Sequence, residues 1–208
     1  STMPFLSKAG SSAVAVKSTG GYLNPGRIPT GSSARFALLS DQPLEYWEVW
    51  LQDSEGKLND RGKIISTPCR FTTEPTPEDI EAELGTQWVR RPNFNNDGPG
   101  PVLFNLAAPI YSYDNKCVQV FACDKASINR ELDAISNMIE NGDDYESILD
   151  VVFVIDKEGS GLNTEYKVRI FPKKKKDEAV IEEAWETAQA DGFDISRLLS
   201  GGNPFKEN

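Results

Sequence analysis

Asp150–Phe171, DVVFVIDKEGSGLNTEYKVRIF, is the stretch whose reading decides the fold. Two runs rich in β-branched and aromatic residues, 150–156 and 165–171, flank Lys157-Glu158-Gly159-Ser160-Gly161-Leu162-Asn163, a connection made of turn formers. That composition predicts a β-hairpin. Side chains alternate between the two sides of a strand, so Tyr166, Val168 and Ile170 point inward and Lys167, Arg169 and Phe171 point outward. Just upstream, Ile128, Leu132, Ile135 and Ile139 recur at helical spacing over 128–140, with Ser127 as the cap. Before that, Val102–Tyr113 and Cys117–Cys123 are apolar runs joined by Asp114-Asn115-Lys116, a second hairpin. The order strand, strand, helix, strand, strand excludes an alternating parallel α/β fold, whose crossovers would put helices between most strands.

Further toward the N-terminus, 35–39 (RFALL) and 46–52 (YWEVWLQ) read as strands. In the second, Trp47, Val49 and Leu51 form the expected core face, with Tyr46, Glu48, Trp50 and Gln52 opposite. Ser54-Glu55-Gly56-Lys57 reads as a turn and 62–71 as another strand. Thr76-Pro77-Glu78-Asp79 is a helix start: a threonine cap, proline at the first position, acids in the first turn, and Gly85 as the stop. Residues 86–101 (TQWVRRPNFNNDGPGP) have no period and read as a long loop. The expected fold is mainly β with short helices, an OB-fold-like five-stranded Greek-key barrel with extra N-terminal strands and a C-terminal acidic helix over 178–190. Such a barrel carries its helix between the third and fourth strands, and its ligand approaches the loops after strands one and four. Here those loops are 72–101 and 157–163.

The chain has 208 residues, 38% of them hydrophobic, enough for one good core. The division expected is a flexible N-terminal arm (1–34, rich in Ser, Gly, Ala and Thr and either mobile or draped over the domain), the barrel (35–172), and a basic run followed by an acidic tail (173–208). No apolar run approaches the roughly 20 residues of a membrane span, and the start lacks the pattern of a secretory leader; a cytoplasmic, membrane-free protein is expected. Histidine is absent, which removes Ser-His-Asp and Cys-His catalysis. Three scattered cysteines fit reduced thiols better than a disulfide framework. No zinc set, phosphate loop or other cofactor motif is present: Gly159-Ser160-Gly161 joins two strands and lacks the Gly-Lys-Ser/Thr that would open a helix. No enzyme, metal or cofactor is therefore expected.

The net charge of −10 argues on average against a polyanionic partner, but the charge is segregated. Lys167, Arg169, Lys173, Lys174, Lys175 and Lys176 occur within ten residues without an acid among them, and everything after Asp177 is predominantly acidic. A chain patterned this way can pair a basic binding surface with a separate acidic tail. Single-stranded nucleic acid needs cations for phosphates and aromatic faces for bases, each stack contributing about 1–3 kcal/mol. Arg90 and Arg91 lie beside Trp88 and Phe94 in the long loop; Lys157 sits at the hairpin; Tyr111 and Tyr113 lie opposite the core face of 102–113; and Trp50 is off the core face of its strand. With Lys167, Arg169, Lys173 and Lys174 these make the candidate site. The plainer reading of any one ring is packing, and of the lysine run a solvated strand exit.

Pro109-Ile110-Tyr111, the helix opened by Ser127, and the Gly-x-Gly-x-Asn-Thr-x-Tyr hairpin at Gly159–Tyr166 together resemble the OB-fold single-stranded-DNA-binding proteins of bacteriophages, of the helix-destabilising replication type. Arg35-Phe36-Ala37-Leu38-Leu39 resembles their first strand. The likeness spans about two thirds of the chain. It implies a non-catalytic protein that coats and protects single-stranded DNA in replication and recombination, largely without sequence specificity, inside a phage-infected cell. It also implies replication partners recruited through the acidic C-terminal region; a homo-oligomer is compatible with the sequence, which does not fix the oligomeric state. The terminal run of aspartates usual in such tails is missing here, where the chain ends Asn203-Pro204-Phe205-Lys206-Glu207-Asn208. Two other readings stand beside it: an OB-like protein–protein interaction module without nucleic-acid binding, and a metal-dependent nuclease built from scattered carboxylates.

Overall fold

The computed structural model describes residues 21–206. They are mainly β, with short helices and mixed strand pairing. Two compact units share them, the first built from residues up to Pro43 and from Ala107–Asp191, the second from Leu44–Leu106 and the residues from Gly192 on.

In the first unit, β1 (Tyr22–Leu23), β2 (Ser33–Leu38), β6 (Leu103–Ser112, from Ala107 on), β7 (Cys117–Cys123), β8 (Val151–Glu158) and β9 (Glu165–Pro172) hydrogen-bond in the open order β1-β7-β6-β2-β8-β9. β2 runs antiparallel to β6 on one side (Phe36 opposite Ser112) and to β8 on the other (Phe36 opposite Phe153). β8 and β9 form the hairpin read from the sequence, paired from Val151 opposite Pro172 to Glu158 opposite Glu165. The tip needs its glycine. Gly159 has φ +73°, and a Cβ there would lie 2.1 Å from the Asn163 carbonyl oxygen.

The rings of Phe36, Phe121 and Phe153 stack at centroid separations of 5.0 and 5.5 Å and form the centre of this core. Helix α2 (Ala126–Glu140) buries Ile128, Leu132 and Ile139, the stripe its spacing predicts. It starts two residues before the expected position, and the residue flanking it is Lys125, whose side chain makes no cap bond, so Ser127 lies inside the first turn. Helix α3 (Lys175–Ala190) packs Ile181, 4% exposed, against Ala37 and Tyr111. Part of the region read as an acidic tail is thus core.

Residues 1–20 of the expected arm lie outside the described residues. Residues 21–34 are part of the first unit: Tyr22 and Leu23 pair in parallel with Val120 and Phe121, and Leu23 and Ile28 are buried. Gly31 N donates to the Lys157 carbonyl, Lys157 N to the Ser32 carbonyl, and Thr30 Oγ1 to the Gly159 carbonyl.

In the second unit, β3 (Leu44–Asp53) pairs with β4 (Ser66–Phe71), β5 (Trp88–Arg90) and β6. Helix α1 (Pro77–Leu84) has the predicted start, a reciprocal capping box in which Thr76 and Asp79 each accept the other's backbone N–H. It buries Ile80 against Val49 and Leu51. Residues 86–101 differ from the expected loop, because Trp88–Arg90 is strand: Asp53 opposes Trp88 and Leu51 opposes Arg90. Tyr46 also departs from expectation. It is 2% exposed, lying under the Arg70 guanidinium at 5.3 Å, so this strand is covered on both sides at that point.

Candidate nucleic-acid interface

Residues directly opposite one another across a ladder share a face. Leu51 and Asp53 are buried, so their partners Arg90 and Trp88 point to the core side. Trp88 packs against the Val49, Leu51 and Ile80 cluster, and Arg90 Nη2 donates to the Gly100 carbonyl at 2.6 Å while its Nε is buried without a partner. Alternation sends the next residues the other way. Trp50 is opposite Pro68, and Gln52 is opposite both Ser66 and Val89. Arg91 donates its backbone N–H to the Trp50 carbonyl at 2.9 Å and lays its guanidinium over the indole, 4.6 Å from the centroid.

The quartet read from the sequence therefore splits. Trp50 and Arg91 form one cation–π stack on the face away from α1, with Gln52, Ser66 and the exposed Val89 beside them; Trp88 and Arg90 belong to the opposite, packed face. Phe94, three residues beyond Arg91, is 99% exposed. Its loop is tied down by Asn93 N to the Gly98 carbonyl, Asp97 N to Asn93 Oδ1 and Asn96 N to the Asn93 carbonyl.

The stacked indole is also fixed from its polar edge. Trp50 Nε1 donates to Glu48 Oε1 at 3.1 Å, and Arg70 Nε donates to Glu48 Oε2 at 2.9 Å. Arg70 Nη1 donates to the Leu198 carbonyl at 2.6 Å. Sequence reasoning missed Glu48, Arg70, Gln52, Ser66 and Val89. The signal for Glu48 was its place two residues before Trp50 on the same face; nothing local pairs it with Arg70, 22 residues away.

In the first unit, Lys167 is exposed on the outward side of β9 with Arg169 and Phe171, as the alternation predicts. Arg169 is committed to a carboxylate: Nε and Nη2 donate to the two oxygens of Asp156 at 2.7 and 3.0 Å, and the guanidinium lies 5.4 Å from the centre of the Phe171 ring. These bonds, joined by one from Ser33 Oγ, hold the Asp156 carboxyl below its ordinary range. Lys157 is engaged too, its Nζ donating to the Gly26 carbonyl at 2.8 Å and lying 5.9 Å from the Tyr166 ring centre. Lys173 is half-buried, and burial lowers its ammonium pKa. Lys174 flanks the start of α3 and is exposed.

Tyr111 and Tyr113 are an edge-to-face pair at 5.6 Å, but Tyr111 is 6% exposed beneath α3. The Tyr113 hydroxyl is buried without a partner, and burial, with Asp177 nearby, pushes it up to about 12. Tyr111 therefore offers no face to a base, and Tyr113 is half-buried beside it. At Tyr111, the side of the strand expected to be open is covered by the helix. Among the described residues no cluster of acidic and thiol side chains could hold a metal ion, and no helix is long and apolar enough to cross a membrane. No family model, curated protein or solved structure matches this chain.

Proposed function

We propose that the protein binds single-stranded DNA without catalysis, coating and protecting it during replication and recombination, in the manner of the bacteriophage proteins its sequence resembles. The observation that carries the reading is the Trp50–Arg91 stack, held in place on a sheet face with Phe94 exposed on the next loop. A base stacks on a ring or a guanidinium plane whatever its identity, and a cation beside it serves the phosphate. The acids Glu78, Asp79, Glu81 and Glu83 all lie on α1, which packs on the other side of the ladder, so the strand would follow the Trp50 side. In the first unit, taken by itself, the exposed Lys167 and the exposed Phe171 ring on the same side of β9 offer a cation and an aromatic face. An OB-like reading of that unit is supported by its five long strands, in which β2 pairs with both β6 and β8 and α2 falls between the third and fourth.

Tryptophan-emission titration with oligo-dT at low and moderate salt tests this. Binding should weaken with a log–log salt slope of about −2 to −3, as expected for three or four phosphate contacts on a single strand. Trp50→Ala and Arg91→Ala should each weaken binding about tenfold, whereas Trp88→Ala should act through stability. No binding at micromolar protein in low salt would sink the proposal and favour a protein-interaction module.

A further inference from the structure

We infer that Glu48 and Arg70 are positioning residues for the Trp50 stacking platform, and that the C-terminal residues 195–200 set its orientation by holding Arg70. The inference rests on the proposed nucleic-acid reading and names what controls that site. The argument starts from the geometry of an indole on a strand. Its ring can rotate about two torsions, and a ring that wanders loses stacking free energy to the entropy of ordering it at each encounter. Here the one polar atom of the ring is tethered to Glu48, and the tether is itself fixed.

Glu48 and Arg70 oppose each other in the β3–β4 ladder, and both side chains are largely removed from solvent, at 12% and 16% exposure. A carboxylate drawn out of water on a sheet face is costly unless paired. Arg70 supplies the pair, and its planar fork lets Nε reach Glu48 while Nη1 reaches the Leu198 carbonyl. The Tyr46 ring supports the guanidinium plane from below.

The carbonyl end is anchored as well. Leu198 is buried; Asp194 accepts from Ser196 N and Oγ; and Arg197 Nη1 donates to the Gly192 and Pro204 carbonyls. A continuous chain of polar contacts thus runs from the C-terminal 3-10 turn through Arg70 and Glu48 to the indole N–H. A partner that draws residues 195–200 away would release Arg70 and loosen the stack without touching the DNA face.

A mutant cycle on the full-length protein isolates this chain. Arg70→Met should weaken oligo-dT binding about five- to tenfold and change the Trp50 contribution to the emission spectrum, obtained by subtracting the Trp50→Phe spectrum. Arg70→Lys should not rescue, because an ammonium lacks the fork. In a Trp50→Ala background, Arg70→Met should cause no further loss. If Arg70→Met lowers the melting temperature beyond about 10 °C, Glu48→Gln, which keeps the shape and removes the charge, replaces it in the cycle with the same expected outcome. Wild-type affinity in both variants, or a loss that persists undiminished in the Trp50→Ala background, overturns the positioning role. Absence of binding by the wild type, or wild-type binding by Trp50→Ala, instead overturns the underlying reading of the site.

Discussion

Ile181→Ala tests whether α3 is structural or an appendage. Ile181 is 4% exposed against Ala37 and Tyr111, with Leu39, Tyr113 and Ala184 at the margin of the cluster. Truncating a fully buried isoleucine to alanine costs about 2–5 kcal/mol, the transfer of the lost groups plus the cavity left behind. This cluster is small and two of its members are alanines, so the cost belongs near the lower end, and alanine's better helix propensity returns a few tenths of a kcal/mol. A net loss of about 2–3 kcal/mol should lower the melting temperature by about 5–10 °C in a chain of this size. Urea unfolding followed by far-ultraviolet circular dichroism measures it directly, as a lower midpoint at unchanged slope. The neighbouring Val180→Ala is the control: Val180 is 56% exposed, and its truncation should stay within about 0.5 kcal/mol of wild type. If Ile181→Ala is equally silent, the helix is not part of the core and the account of Tyr111 as covered fails with it.

Other outcomes follow from single contacts. Gly159→Ala should cost about 1–3 kcal/mol because the new Cβ meets the Asn163 carbonyl at a positive φ, whereas Gly161→Ala, with φ +56° but open space around it, should cost less in the same unfolding assay. Arg169→Met removes the hydrogen bonds that depress the Asp156 carboxyl. The stability they contribute is present above the ordinary aspartate pKa and lost as pH falls through the lowered folded value, so the gap between wild type and variant should close on acidification, measured by urea unfolding from pH 7 to pH 2. Tyr113→Phe deletes a buried hydroxyl with no partner and should gain about 1 kcal/mol; it should also remove a loss of stability between pH 10 and about 12, where an unfolded chain ionises the phenol before the folded one does. Ellman's reagent should modify the exposed Cys117 first and Cys123, buried with its thiol pushed up to about 12, only on unfolding.

The strands and helices were largely legible because local signals and tertiary demands agree in them. Alternation along 165–171, the stripe on α2 and the Thr76–Asp79 cap each state locally what the fold needs. Trp88–Arg90 was not legible: a three-residue strand among prolines and asparagines has no period of its own and exists because β3 offers it a ladder. Without that strand, nothing could tell that Arg90 and Arg91 face opposite ways. Tyr46 and Tyr111 failed for one reason. Alternation names the two sides of a strand but cannot say that a distant segment covers the second, as Arg70 covers Tyr46 and Ile181 covers Tyr111. The cations misled differently, since composition cannot show that Arg169 and Lys157 already have partners in Asp156 and the Gly26 carbonyl.

The path of the chain through its two units has a consequence for biosynthesis. The polypeptide leaves the first unit after Pro43, returns to it after Leu106 and leaves again after Asp191. Strand β2 must therefore wait on the ribosome for more than a hundred residues until β8 emerges to flank it, and contacts that distant in sequence form slowly. Neither half of the gene encodes an independent piece. A chain cut short by a stop codon between Leu106 and Val151 would leave β2 without its β8 partner, an unpaired strand edge of the kind that chaperones and proteases find in their clients.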